Sequence, residues 1–188
     1  MHPKICLTIL LGVLAGPVLA QNRDGDFQLS KISRDLITPP QYNYTGAENL
    51  RESHDRWLKV DVQFAAVPEF TEEVTFKYYI LIGGKILTGE VTHVNVLAGR
   101  ELYSCMYVPP HVLAYVLRNR PPTTTSVENI AVQVVQKGEV KDEISLARAR
   151  PQWFTSLPAL AGFVLNKSET PFAPLLWGHY EQIKSVGH

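Results

Sequence analysis

The stretch VTFKYYILIGGKILTGEVTHVNVL, residues 74–97, decides the fold of this chain. From Val74 to Ile82, large apolar side chains occupy every second position, a period that is typical of a half-buried β-strand. Gly83-Gly84 tolerates the positive φ angles of a tight hairpin turn. The chain then returns as a strand over residues 86–97, where Gly89 marks a bulge or bend. The sequence therefore predicts an antiparallel hairpin.

Similar patterns lie on both sides of this hairpin. Upstream, RWLKVDVQF (residues 56–64) alternates from Trp57 onward, and Pro68 is expected to end that strand. Downstream, Pro110 begins a short helix over residues 111–118. Further strands are predicted at residues 101–108, 130–136 and 139–147. About six strands with closely spaced turn signals indicate an all-β protein, mainly β with one or two short helices, built as an antiparallel β-sandwich.

The N-terminus has the three-part pattern of a secretory signal peptide. A polar start with Lys4 precedes an apolar run, and Val18 and Ala20 are the small residues that signal peptidase reads. We therefore expect residues 1–20 to be removed and the protein to be exported to the periplasm, the outer membrane or the cell surface. No second apolar run of about 20 residues follows, so no integral membrane segment is expected after removal of the signal.

The remaining chain divides into two parts. Residues 21–55 are polar and carry Pro39-Pro40, which predicts an N-terminal arm with room for one short helix. Residues 56–188 are assigned to the β-sandwich domain, which ends in an irregular C-terminal segment.

The charge composition argues against nucleic acid as a partner. The whole chain carries 18 Lys+Arg and 18 Asp+Glu, and the signal holds one cation, Lys4, so the exported form has a net charge of −1. A chain this close to neutral offers no electrostatic basis for binding nucleic acid. Only Cys105 remains once Cys6 is removed with the signal, so no internal disulfide is expected.

Catalytic and metal-binding patterns are weak. Cys105 and His111 are the candidates for a cysteine–histidine pair, but a single cysteine within a strand is usually a small buried apolar residue. No two histidines have zinc-ligand spacing, and the paired carboxylates, Glu72-Glu73 and Asp142-Glu143, lie beside turns. No cofactor, metal or catalytic residue is therefore predicted. The histidines considered as metal ligands are His54, His93, His111 and His179.

Aromatic residues near the C-terminus are the candidate binding site. Phe172, Trp177 and Tyr180 either cover one end of the sandwich or form a contact surface for a partner. Two glycosylation sequons also occur, at Asn43 and Asn166.

The C-terminal stretch NKSETPFAPLLWGHYEQI, residues 166–183, resembles the endings of pilus-like exported proteins that are encoded beside type IV pilus machinery in Verrucomicrobia. The matching pattern is S-x-T-P-F-x-P-L-x-W…Y-E, and RWLKVDVQF is of the same kind. The resemblance implies an immunoglobulin-like β-sandwich and a role in the envelope beside a pilus. It supplies no catalytic residue.

These observations predict a non-enzymatic, exported envelope protein. It would bind other envelope or pilus-assembly proteins, or serve as a structural component, in a type IV pilus-like system. Two alternatives stay open: a carbohydrate-binding module, which would expose coplanar rings at Trp177 and Tyr180, and a small exported hydrolase. Residues 88–97 and 127–135 are the candidate edge strands for a partner.

Overall fold

The two strands of the predicted hairpin are much longer than the sequence pattern indicated. The protein is described by a computed structural model that covers residues 25–42, 55–147 and 149–185. The predicted signal peptide and the sequon at Asn43 lie outside these residues. The elements in chain order are β1 (Phe27–Ile37), β2 (Trp57–Ile82), β3 (Lys85–Val108), α1 (Pro110–Val116), β4 (Val127–Gln136), β5 (Glu139–Ser145), β6 (Ala159–Ala161) and β7 (Leu165–Asn166).

β2 runs through Pro68, so the prediction that this proline ends the strand is wrong. The register of β2 against β3 shifts on both sides of Ala66, between Phe64 and Phe70. Proline has no N–H to donate and is tolerated in strands at such irregularities. Likewise, residues 86–97 and 101–108 belong to one continuous strand, β3, and the turn at Gly83-Gly84 is confirmed.

All of the described strands belong to one sheet, which folds back on itself. Ser104 lies opposite Val62, whereas Tyr78 lies 16 positions further along β2, roughly 50 Å away in a straight strand. The Tyr78 hydroxyl nevertheless donates a hydrogen bond to Ser104 Oγ at 2.9 Å. The strands must therefore bend between these positions, so that two halves of the sheet face each other. This sandwich-like arrangement confirms the predicted all-β, mainly antiparallel class, while the immunoglobulin-like topology stays a prediction.

The core lies between the two halves. Val62 is fully buried, which confirms the face assigned to the alternating residues of RWLKVDVQF. Across the core, the Phe64 and Phe76 rings are 4.7 Å apart. Helix α1 closes one end with three buried residues, Val112, Leu113 and Val116. It lies so close to the hairpin that a Cβ at Gly83, where φ is +59°, would collide with the carbonyl oxygen of Val116.

Part of the predicted N-terminal arm is a sheet strand. β1 pairs antiparallel with β2 over residues 57–66 and buries Phe27 and Leu29 in the core. The sheet therefore begins before residue 56, and the predicted division into an arm at 21–55 and a sandwich from 56 is corrected for residues 27–37. No helix forms in that range.

The edges of the sheet also differ from the prediction. β4 lies between β2 and β5, so residues 127–135 are not an edge. Within residues 88–97, the main chain of β3 is partly covered: the Val94 N–H donates to the Gln182 carbonyl oxygen, and Thr92 accepts a hydrogen bond from the Lys184 N–H.

Candidate partner-binding site

Residues 165–185, here called the C-terminal cover, lie across the outer face of the sheet half that contains β1 and the end of β3. β7 pairs with β3 at Met106 and Tyr107, and the Glu181 N–H donates to the Tyr103 carbonyl oxygen. Main-chain bonds to Thr92 and Val94 hold its far end. The cover is thus fixed at both ends by backbone hydrogen bonds.

Two of the three predicted contact residues hold the cover in place. Phe172 is buried and stacks on Tyr107 with ring centroids 5.0 Å apart, and Trp57 meets it edge-on at 5.7 Å. The Tyr180 hydroxyl donates to Asp61 Oδ1 at 2.9 Å. Phe172 has no free face for a partner, and Tyr180 is half-buried.

Trp177 is the predicted contact residue that faces solvent. Its side chain is 89% exposed, and Leu175 and Leu176 beside it are 39% and 59% exposed. We call these three residues the apolar tip. Leu176 has φ +52° and Gly178 has φ +92°, so the chain reverses here, and the His179 N–H closes the turn on the Leu176 carbonyl oxygen. A left-handed leucine costs about 1 kcal/mol or more. The turn therefore holds the tip outward despite an unfavourable backbone.

A cavity of about 520 Å³ opens beneath the tip, lined by Lys167, Trp177, Tyr180, Glu181 and other residues of the cover. Lys167 is only 7% exposed, and its Nζ donates to the Ala173 carbonyl oxygen at 2.6 Å. The same nitrogen lies 5.9 Å from the ring centroids of both Trp177 and Tyr180. Burial lowers the pKa of Lys167 and raises the pKa of Glu181. The cavity thus combines aromatic walls with a buried cation.

A buried polar chain connects the core to the cover. Tyr78 donates to Ser104, whose Oγ lies 2.8 Å from His93 Nε2, and His93 Nδ1 lies 3.1 Å from the Glu181 carbonyl oxygen. Since that carbonyl only accepts, Nδ1 carries the proton and Nε2 accepts from Ser104. Ser104 and His93 are 0% and 1% exposed, so this serine–histidine pair is closed to a substrate. Sequence reasoning missed this pair, because Ser104 and His93 lie eleven positions apart on β3 and meet only because the sheet folds back on itself.

Cys105 and His111 do not form the cysteine–histidine pair considered from the sequence. The Cys105 thiol is buried and hydrogen-bonds the Tyr107 hydroxyl, whereas His111 lines a separate cavity beside Arg56 and Pro110. Burial raises the pKa of Cys105 to about 12. A thiol held protonated in this way is a poor nucleophile.

The other candidate groups have structural partners. Glu73 pairs with Lys184 at 2.6 Å, and Glu143 accepts a hydrogen bond from Gln133. The side chain of Asn166, the second sequon, caps the 3-10 helix Lys167–Glu169 by accepting from Ser168. In the ranges that the structure covers, no three His, Cys, Asp or Glu side chains are grouped so as to hold a metal. Nor is any described helix long and apolar enough to cross a membrane.

Comparisons with known proteins define the family and the fold. A protein-family model matches residues 18–186, most of the chain, and the protein belongs to that family. Among solved structures, the crystal structure of a protein from Akkermansia muciniphila superposes with a TM-score of 0.73 at 20% sequence identity. The match covers 86% of this chain and 94% of the other, so the two share a fold. No curated protein matches the chain.

Proposed function

We propose that this protein is an exported, non-enzymatic binding component of the cell envelope, working beside a type IV pilus-like system. The signal-peptide pattern supports export. The resemblance of residues 166–183 to pilus-like exported proteins of Verrucomicrobia supports the association with a pilus. The exposed apolar tip on a firmly held cover is the observation that carries the proposal, because it supplies a surface for a protein partner.

The physical argument concerns Trp177. Tryptophan is enriched at the centres of protein interfaces, where its removal typically costs about 2 kcal/mol or more. In this chain Trp57 and Trp153 pack against Phe172 and Phe154, whereas Trp177 is 89% exposed. Because Phe172 and Tyr180 fix the backbone on either side of the tip, little ordering entropy remains to be lost on binding.

The two alternatives have less support. A carbohydrate platform would need Trp177 and Tyr180 both exposed, but the Tyr180 hydroxyl is bound to Asp61 and its ring is half-buried. A hydrolase would need an accessible nucleophile beside a base, and Ser104 and His93 are closed to solvent. These placements favour binding over chemistry.

A pull-down from the native envelope tests the proposal. Exported wild-type protein is expected to retain specific envelope or pilus-assembly proteins, and Trp177→Ala should weaken that retention on the order of tenfold or more. Tyr115→Ala is the matched control, since Tyr115 is another exposed aromatic residue, 59% exposed on α1. Both variants should melt at the wild-type temperature. Equal retention by wild type and Trp177→Ala would contradict the proposal, as would turnover on an ester, peptide or glycan substrate.

A further inference from the structure

Lys167 is a buried cation whose hydrogen bonds are incomplete. An ammonium group has three N–H donors. One of them is used by the Ala173 carbonyl oxygen. Within the described residues, no other acceptor lies in hydrogen-bonding distance of Nζ, and no carboxylate lies within 4.0 Å. Lys167 is 7% exposed and no described carboxylate pairs with it, so the partial loss of hydration disfavours its charged form.

The cavity beneath the apolar tip lies beside this ammonium group. Lys167, Trp177 and Tyr180 all line it, and the ring faces of the two aromatic residues flank Nζ at 5.9 Å. Cation–π contacts offset part of the desolvation cost but accept no hydrogen bond. A carboxylate entering the cavity would accept hydrogen bonds from the unused N–H groups and neutralise the charge, and such charge-assisted hydrogen bonds are roughly twice as strong as neutral ones.

We propose that the cavity beneath the apolar tip receives a carboxylate of a partner protein, which binds Lys167 Nζ while the neighbouring apolar residues of the partner pack on Leu176 and Trp177. This inference rests on the proposed function and specifies the chemistry of the same site. Trp177, Leu176 and Ile183 line the cavity together with Lys167, and this combination of apolar surface with a cation fits a carboxylate carried on an apolar peptide. The carboxylate belongs to a side chain or to a chain terminus.

Glu181 supplies a second variant, for which the expected effect on carboxylate binding is the opposite of that for Lys167. Glu181 lines the same cavity, and burial disfavours its charged form. Its carboxylate would repel an incoming carboxylate, so Glu181→Gln should strengthen binding while Lys167→Gln weakens it. The two main-chain hydrogen bonds of residue 181, to Tyr103 and His93, do not involve the side chain and are kept in the variant.

Capped peptides titrated into the full chain by calorimetry test the inference. The side-chain arm compares acetyl-Leu-Glu-Leu-amide with acetyl-Leu-Gln-Leu-amide, and the terminal arm compares acetyl-Leu-Leu with its amide. At least one carboxylate peptide should bind, on the order of tenfold more tightly than its neutral counterpart. Which arm responds identifies the source of the carboxylate. Equal binding of the acid and neutral peptides, or no binding of either acid at about 10 mM, would overturn the proposal. So would preferential binding of glucuronic acid.

Variants extend the same titration. Lys167→Gln should abolish the preference for the carboxylate peptide, Glu181→Gln should increase it, and Lys141→Gln should leave it unchanged because Lys141 pairs with Glu139 elsewhere on the surface. An unchanged preference in both cavity variants would refute the assignment. In the pull-down, Trp177→Ala could lose retention of the partner while Lys167→Gln retains it fully. That result would contradict the inference of a carboxylate ligand but would agree with the proposed binding function.

Discussion

Cys105 illustrates how burial controls the reactivity of a side chain. Its thiol hydrogen-bonds Tyr107 within an aromatic cluster, and burial raises its pKa to about 12. Since the thiolate is the reactive form, an aromatic disulfide reagent at neutral pH should modify native Cys105 at least a hundredfold more slowly than the denatured chain, by order of magnitude. Cys105→Ala supplies the background, including any contribution from Cys6. Modification of the native protein at the denatured rate would contradict the prediction.

The candidate site was only partly predictable at the scale of residues. The sequence singled out Phe172, Trp177 and Tyr180, but three aromatic residues close together in sequence have three different environments here. The reversal at Leu176 and Gly178 separates Trp177 from the other two, and φ angles of this kind leave no mark in hydrophobic periodicity. Lys167 was missed because nothing in its sequence neighbourhood indicates burial. Its environment is made by contacts within the folded cover.

The strands show where periodicity predicts an element and where it fails. The alternation in β2 predicted the buried face that carries Val62. β1 was missed because its register shifts between Leu29 and Lys31, so its buried residues, Phe27, Leu29 and Ile32, do not keep a period of two. Pro68 was expected to end the strand because proline usually does so. Nothing in the local sequence indicates that this long strand continues through an irregularity in its register.

A substitution at Gly89 tests how closely the segment just before the C-terminal cover packs on β3. Gly89 lies opposite Tyr78 without a register shift, so β3 has no bulge at this glycine, and a Cβ there would come within 2.7 Å of the Val164 carbonyl oxygen. Gly89→Ala should therefore lower the free energy of unfolding by about 1–3 kcal/mol. Gly99→Ala is the matched control, because its closest contact is the flexible end of Leu102, which can move. Equal losses in urea denaturation would contradict this account.

At the scale of the whole molecule, the polar chain from Tyr78 through Ser104 and His93 to Glu181 joins both halves of the bent sheet and the cover. Protonation of His93 at Nε2 would remove the acceptor for the Ser104 hydroxyl, and burial lowers the pKa of His93 to about 4. In the unfolded chain the same imidazole takes up its proton near its ordinary pKa of 6.5. The unfolded state therefore binds more protons between these two values, and acid favours unfolding.

The expected result is a loss of stability as the pH falls through this window. The contribution of His93 to the free energy of unfolding should be complete above pH 6.5, decline by about 3 kcal/mol down to pH 4, and level off below it. His93→Gln should flatten the pH dependence by that amount, whatever its effect at neutral pH. His111→Gln, at an exposed position on α1, should retain the wild-type slope. Urea denaturation at several pH values gives the free energy of unfolding of all three proteins. If this free energy depends on pH in the same way for wild type and His93→Gln, protonation of His93 does not cause the loss of stability in acid.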